Sequence, residues 1–440
     1  MKTRGRAELA HPLHHRTLPN GLRVVISELP HLHSATLCFA VRAGSRYERA
    51  EDQGLSHFLE HMLFRGTEAH PSAHAMNLAI ERLGGSLEAA THVDLTSYTL
   101  TLPPTHVLDG IARLGEILSG PLFAGIETER RVLHEELLED LDEDGQEVDA
   151  DNLSRRALFG EHPLGYAIAG TLDTVHRFGP ADLRRHFDTY YGAKNGVLSV
   201  AGPVEPGPVL DAAQAALGAL PPGQRATPAP APPPRTARTP RTPRMSIVRA
   251  SGNQTDLRLS FPTGGLDDGR ALDRRLLCRV LDDGMSTRLR RRIIDELGLA
   301  YDVFADAELF EDCGVFDFGA SVSHERAPRL VTALLELIAE VRRDGVEPDE
   351  VVRATARLRW GLEASLDDAE AIASYYASQA LFGFEDTLAS LGAKADAVTP
   401  ERLHAIARDE LDPARAHLVC VGSLGRVESR ALRDALRNAR

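Results

Sequence analysis

The feature that most constrains this chain is a repeat. Pro180-Ala181-Asp182-Leu183 opens a helical pattern that runs to Val197-Leu198-Ser199-Val200-Ala201-Gly202. The same phrase returns 220 positions later, where Pro400-Glu401-Arg402-Leu403 leads to His417-Leu418-Val419-Cys420-Val421-Gly422. Proline in the first turn, a helix, then a short apolar strand ending in glycine make one structural unit. Two such units in one register predict duplicated domains of similar size. A chain of 440 residues also exceeds one ordinary core. Between the copies runs a proline-rich stretch that includes Ala229-Pro230-Ala231-Pro232-Pro233-Pro234. Proline removes backbone donors and favours extended chain, so this stretch reads as a semi-rigid linker. The expected division is 1–222, a linker at 223–245, and 246–440.

Each half mixes strands with helices. Strand signals fall at 22–29, 35–43 and 96–102, the last a clean alternation of threonine and serine with apolar residues. Helical patterns fall at 54–64, 73–83, 107–118 and 127–141. Grouped strands among long helices predict an α+β chain of two homologous α/β-sandwich domains, each a mainly antiparallel sheet covered by helices.

Charge narrows the choice of partners. The formal net charge is −14, which argues against nucleic acid, because phosphate binding needs a basic surface. The first residues carry basic side chains but no apolar run of signal-peptide length, and no stretch approaches a membrane span. The expected location is therefore the cytoplasm. Cys38, Cys278, Cys313 and Cys420 form no CxxC pair and read as reduced thiols.

The chemistry gathers in His57-Phe58-Leu59-Glu60-His61. Two histidines four apart on a helix share one face, within reach of one ion, and Glu60 borders that face. The pattern is H-x-x-E-H, the reverse of H-E-x-x-H. A catalytic zinc needs a third protein ligand and one open position. The helical stretch at 126–137 can supply it, because Glu129 and Glu136 stand seven apart, nearly two turns, on one side. Acids buried among apolar residues there would need a counter-charge, which a metal provides.

The wider segment at 54–67, Gly54-Leu55-Ser56-His57-Phe58-Leu59-Glu60-His61-Met62-Leu63-Phe64-Arg65-Gly66-Thr67, closely resembles the active-site segment of the inverted zinc metallopeptidases. These are the pitrilysin, insulin-degrading enzyme and mitochondrial processing peptidase family, and this chain is similar to its short bacterial members. Leu18-Pro19-Asn20-Gly21-Leu22, Gly44-Ser45-Arg46-Tyr47-Glu48 and Gly84-Gly85 fit as well. The resemblance implies one Zn2+ per chain, ligated by His57, His61 and Glu136. It implies Glu60 as general base and Glu129 as an acid supporting the site. It also implies an extended peptide substrate hydrolysed in a closed chamber. The family's asparagine-alanine pair on the substrate strand is replaced here by Glu88 and Ala89. The glutamate either biases the site toward basic peptides or points to solvent.

The second half carries no such motif. Gly284 corresponds to Gly66, which sets Arg275, Cys278 and Arg279 where His57, Glu60 and His61 stand. Two cations cannot replace two neutral imidazoles, so this copy is expected to be metal-free. The run from Gly284 through Arg288 to Tyr301 resembles the family's C-terminal signature, which implies that Arg288 and Tyr301 hold the peptide and stabilise the oxyanion. Because one chain has both elements, a homodimer is the expected assembly, with a paralogous subunit as the other arrangement. The competing function is a non-catalytic scaffold or peptide-binding subunit of the same fold.

Overall fold

The computed structural model describes residues 9–232 and 244–439, so residues 233–243 of the proline-rich segment lie outside the described residues. In chain order, the first half holds β1 (Leu13–Thr17), β2 (Arg23–Glu28), β3 (Ala35–Val41), α1 (Leu55–Leu63), α2 (Ala73–Glu81), β4 (Ser86–Thr91) and β5 (Thr96–Leu102). It continues with α3 (Val107–Ser119), α4 (Ile126–Glu139), α5 (Ala150–Phe159), α6 (Leu172–Arg177), α7 (Pro180–Tyr190), β6 (Gly196–Gly202) and α8 (Pro206–Leu217). The second half holds β7 (Arg244–Val248), β8 (Gln254–Thr263), α9 (Ala271–Asp282), α10 (Arg288–Arg290), β9 (Phe304–Leu309) and β10 (Gly314–Ser323). It ends with α11 (Ala327–Asp344), α12 (Pro348–Ser365), α13 (Ala369–Phe382), α14 (Leu388–Asp396), α15 (Pro400–Glu410), β11 (His417–Val421) and α16 (Arg426–Asn438).

The strands form two sheets, ordered β1-β2-β6-β3-β5-β4 and β7-β11-β8-β10-β9. Apart from β1 the orders are the same. One pair in each sheet is parallel, β2 with β6 and β7 with β11, and the rest are antiparallel. The duplication read from the prolines thus extends through every strand but β1. Gly202 and Gly422, the repeat's terminal glycines, share a positive φ of 142° and 155°. A Cβ on Gly202 would meet the Ala35 backbone at 2.8 Å, and one on Gly422 would meet the Thr255 backbone at 2.9 Å.

Each sheet has two covered faces. Strand alternation sends Leu37, Phe39 and Val41 of β3 into a core with Phe58, Leu59 and Met62 of α1 and Ile111 and Leu114 of α3. In the second sheet Leu257, Leu259 and Phe261 of β8 join Leu277 and Leu281 of α9 and Leu334 and Ile338 of α11.

The opposite faces are covered by helices exchanged between the two halves of the sequence. The compact units are discontinuous: the first contains Tyr166–Ala229 and Gly361–Gly392 beside the N-terminal stretch, and the second contains Leu138–Gly165 beside Pro230–Trp360 and Ala393–Arg440. Helix α13, from the second half of the sequence, packs on β2, β3 and β6 of the first unit. Helix α5, from the first half, packs on β8 and β11 of the second unit, where Ala150 joins Val419 and Val421. Each sheet has a second apolar face that needs cover. The chain covers each with a helix from the other copy.

Candidate metal centre

Helix α1 starts where Gly54 takes φ 87°. A side chain there would put Cβ 2.5 Å from the Ala169 carbonyl oxygen, so glycine suits both the conformation and the contact. Leu55, Phe58, Leu59 and Met62 are fully buried, and this spacing seats the helix on the sheet. The Glu48 carboxyl accepts from the Gly54 N–H at 2.9 Å and the Ser56 N–H at 2.7 Å, satisfying two donors at the helix start. Burial pushes that carboxyl up to about 7 in spite of these bonds. Ser56 also meets His186 through its hydroxyl at 3.0 Å.

The face of α1 opposite α4 carries the motif. His57 and His61 lie with ring centroids 4.7 Å apart. His57 Nε2 is 3.5 Å from Glu136 Oε1, and His61 Nε2 is 3.7 Å from Glu136 Oε2. Among the described residues, His57, His61 and Glu136 are the group whose ligand atoms fall within 4.8 Å of one another. The two separations are too long for hydrogen bonds. They match the ligand spacing of a tetrahedral zinc, roughly 3.3–3.4 Å for bonds of about 2.0–2.1 Å. The donor set, two nitrogens and one carboxylate, is that of a catalytic zinc site. These residues therefore fit the ion.

The protonation of His57 fits as well. Burial, aided by the His61 charge, lowers His57 to about 3, so it is neutral and able to ligate at pH 7. Burial also works against charge on His61, but its bond to Glu129 and the surrounding carboxylates raise its pKa. His61 Nδ1–H donates to Glu129 Oε1 at 2.9 Å, which leaves Nε2 on the Glu136 side. Glu129 is buried and pairs through Oε2 with Arg65 Nη1 at 3.2 Å.

One expectation about α4 needs correcting. The buried acid is Glu129, whereas the Glu136 side chain is 44% exposed and Val132 beside it is exposed. The cluster of His57, His61 and Glu136 therefore lies at the open side of α4, within reach of solvent.

Glu60 is 8% exposed. Burial pushes its carboxyl up, with the Thr91 hydroxyl and the His61 charge acting in the opposite direction. Thr91 Oγ1 donates to Glu60 Oε2 at 2.8 Å. Thr91 closes β4, the last strand of its sheet, whose far edge is unpaired among the described residues. The His92 N–H bonds to Leu95 O across the turn. By antiparallel alternation, the N–H groups of Ala89 and Thr91 then point to the open edge. The Leu87 and Ala89 side chains pack toward the α1 core. Glu88 points the other way, into a cleft of about 370 Å³ that it lines with Cys38, Thr99 and Glu370. Neither Thr91 nor Arg65 was singled out from sequence. Alternation along β4 would have found the first, and the four-residue step from His61 the second.

In the second unit the counterpart of α1 is α9, which packs against β9 and α15. Cys278 is buried and its thiol is pushed well up by burial, while Arg279 pairs with Asp283. Arg288 makes a two-pronged pair with Glu350 on α12, Nε to Oε1 at 2.7 Å and Nη2 to Oε2 at 2.6 Å. Tyr301 is 98% exposed. Both belong to the second unit, whereas His57, His61 and Glu136 belong to the first.

Residues 23–172 match the profile of the insulinase family, peptidase family M16, and residues 177–358 match that of the peptidase M16 inactive domain. A protein of Streptomyces coelicolor named as an uncharacterised zinc protease is 30% identical over 96% of this chain and 92% of its own length. The solved structure of a peptidase M16 inactive domain from Pseudomonas fluorescens superposes with a TM-score of 0.84 at 18% identity, over 94% of this chain and 98% of that one. A chain of complex III2 from Candida albicans shares the fold with a TM-score of 0.78 at 16% identity, over 97% of this chain and all (100%) of that one. The chain belongs to the insulinase family, peptidase family M16.

Proposed function

We propose that this chain is a zinc-dependent endopeptidase that hydrolyses extended or unfolded peptides, with one Zn2+ per chain. The observation carrying this reading is the convergence of His57, His61 and Glu136 within 4.8 Å, beside a buried Glu60. Zinc, when bound, supplies Lewis acidity toward a carbonyl and brings the pKa of a water toward about 7. Glu60 takes the proton of the attacking water on its carboxylate and returns it to the leaving amine. Burial has already raised its proton affinity, which suits both transfers. Glu129 fixes the tautomer of His61. The peptide lies along the open edge of β4 and pairs with the Ala89 backbone by strand addition. Glu88 faces the cleft on the other side of that strand and takes no part in proton transfer.

Arg288, oriented by Glu350, and exposed Tyr301 hold the peptide and stabilise the oxyanion. The assembly is a homodimer enclosing a chamber, with a paralogous partner as the variant arrangement, and it works in the cytoplasm. Among the described residues no helix is long and apolar enough to cross a membrane. The duplicated sequence units remain 1–222 and 246–440, joined by 223–245.

Removing metal with a chelator should abolish cleavage of a quenched-fluorescence peptide, and added zinc should restore it. Full cleavage by metal-free protein would contradict the proposal. The fold likeness to a complex III2 chain favours a second reading, a non-catalytic scaffold or peptide-binding subunit. That reading requires zinc-loaded protein to bind peptides without cutting them.

A further inference from the structure

We infer that Thr91 is a positioning residue that holds Glu60 in its working orientation and ties that orientation to the strand on which the peptide lies. The inference rests on the reading of Glu60 as the base. Its own support is geometric. The glutamate side chain reaches from α1 to β4, and the Thr91 hydroxyl donates to its Oε2 at 2.8 Å. The base is therefore held by a donor on the strand itself.

Thr91 ends an edge strand, and Ala89, two residues back, shares its face and its open backbone direction. A peptide added to this edge takes its register from Ala89, while the base takes its direction from Thr91. The two are set by one rigid element, so a small displacement of the strand moves both together. A glutamate without such a tether would lose orientation through its rotatable side chain, and misplacement of about 1 Å can cost on the order of a hundredfold in rate.

The test compares Thr91→Val, which keeps the β-branched shape and deletes the hydroxyl, with Thr91→Ser, which keeps the hydroxyl. Peptide turnover, zinc content and crystal structures of the full chain are the readouts. The valine variant should lose on the order of tenfold in kcat. Its KM and zinc content should stay within about twofold of the parent, and its Glu60 carboxylate should turn away from β4. The serine variant should recover most of the kcat. An unmoved Glu60, an unchanged kcat in the valine variant, or a serine variant as impaired as valine would each overturn the inference. Glu60→Gln runs in the same assay. If it keeps turnover, the assignment of the base fails, and the position of Glu60 in the Thr91→Val crystal still decides the clamp.

Discussion

Helices α1 and α9 occupy the same place in two sheets of the same strand order, yet among the described residues only α1 contributes to a cluster of side chains that could hold a metal. Both follow the second strand of the sheet's inner pair, both pack on an edge strand, and both bury leucines at helical spacing. They differ in a handful of polar positions. Where α1 has His57, Glu60 and His61, α9 has Arg275, Cys278 and Arg279. The fold thus supplies a platform, and the chemistry comes from side chains the platform does not require. The difference extends to the neighbouring helix. Helix α12 follows α11 as α4 follows α3, but it carries no carboxylate between Glu350 and Glu363. The second copy therefore lacks counterparts of His57, His61 and Glu136.

Removing a ligand from α1 should have the largest effect. His61→Ala takes away a donor and leaves buried Glu129 without its imidazole partner. Zinc content should fall below about a tenth of the parent's, and peptide cleavage should fall by on the order of a thousandfold or more. Retention of zinc would mean that the ion is held elsewhere. Glu129→Gln should be milder. The ligands remain, but His61 loses its charged acceptor, and zinc affinity should weaken about 10- to 100-fold in a competition titration. An unchanged affinity would remove Glu129 from the site.

A smaller effect concerns pH. Burial raises Glu48 from 4.5 to about 7, so the folded chain holds a proton that the unfolded chain releases. The stability contributed is fully present below about 4.5 and is lost as pH rises through about 7. Glu48→Gln should therefore flatten the fall of Tm between pH 5 and pH 8. A parallel slope in parent and variant would show that Glu48 titrates normally. The smallest expected effect is none. The triple change Arg275→His, Cys278→Glu and Arg279→His should leave zinc at about one per chain, because α12 offers no third ligand. A second bound zinc would show that the platform needs only the helix motif.

Much of this was legible in the sequence, for definite reasons. The duplication could be read because proline-led helices and glycine-ended strands leave local marks in fixed register. The pair His57 and His61 could be read because helical spacing alone puts both on one face. Glu136 and Glu129 could be named, but not which of them is buried, because that depends on the tilt of α4 against α1. The exchange of α5 and α13 left no mark. Both are ordinary capped helices, each with an aspartate N-cap, Asp149 and Asp368, and nothing local says which sheet either will cover. The pairing of Arg288 with Glu350 joins residues 62 positions apart in sequence, so only tertiary structure reveals it. The face of Glu88 depends on strand register, and a one-residue slip would have reversed it.

The central claim is that α1 holds a working zinc centre in which Glu60 moves the proton. The most direct measurement determines zinc content and peptide turnover together for the parent and for Glu60→Gln. The account predicts about one zinc per chain in both proteins and turnover in the parent alone. Full turnover in Glu60→Gln, or a zinc-loaded parent that cleaves no peptide, would contradict it.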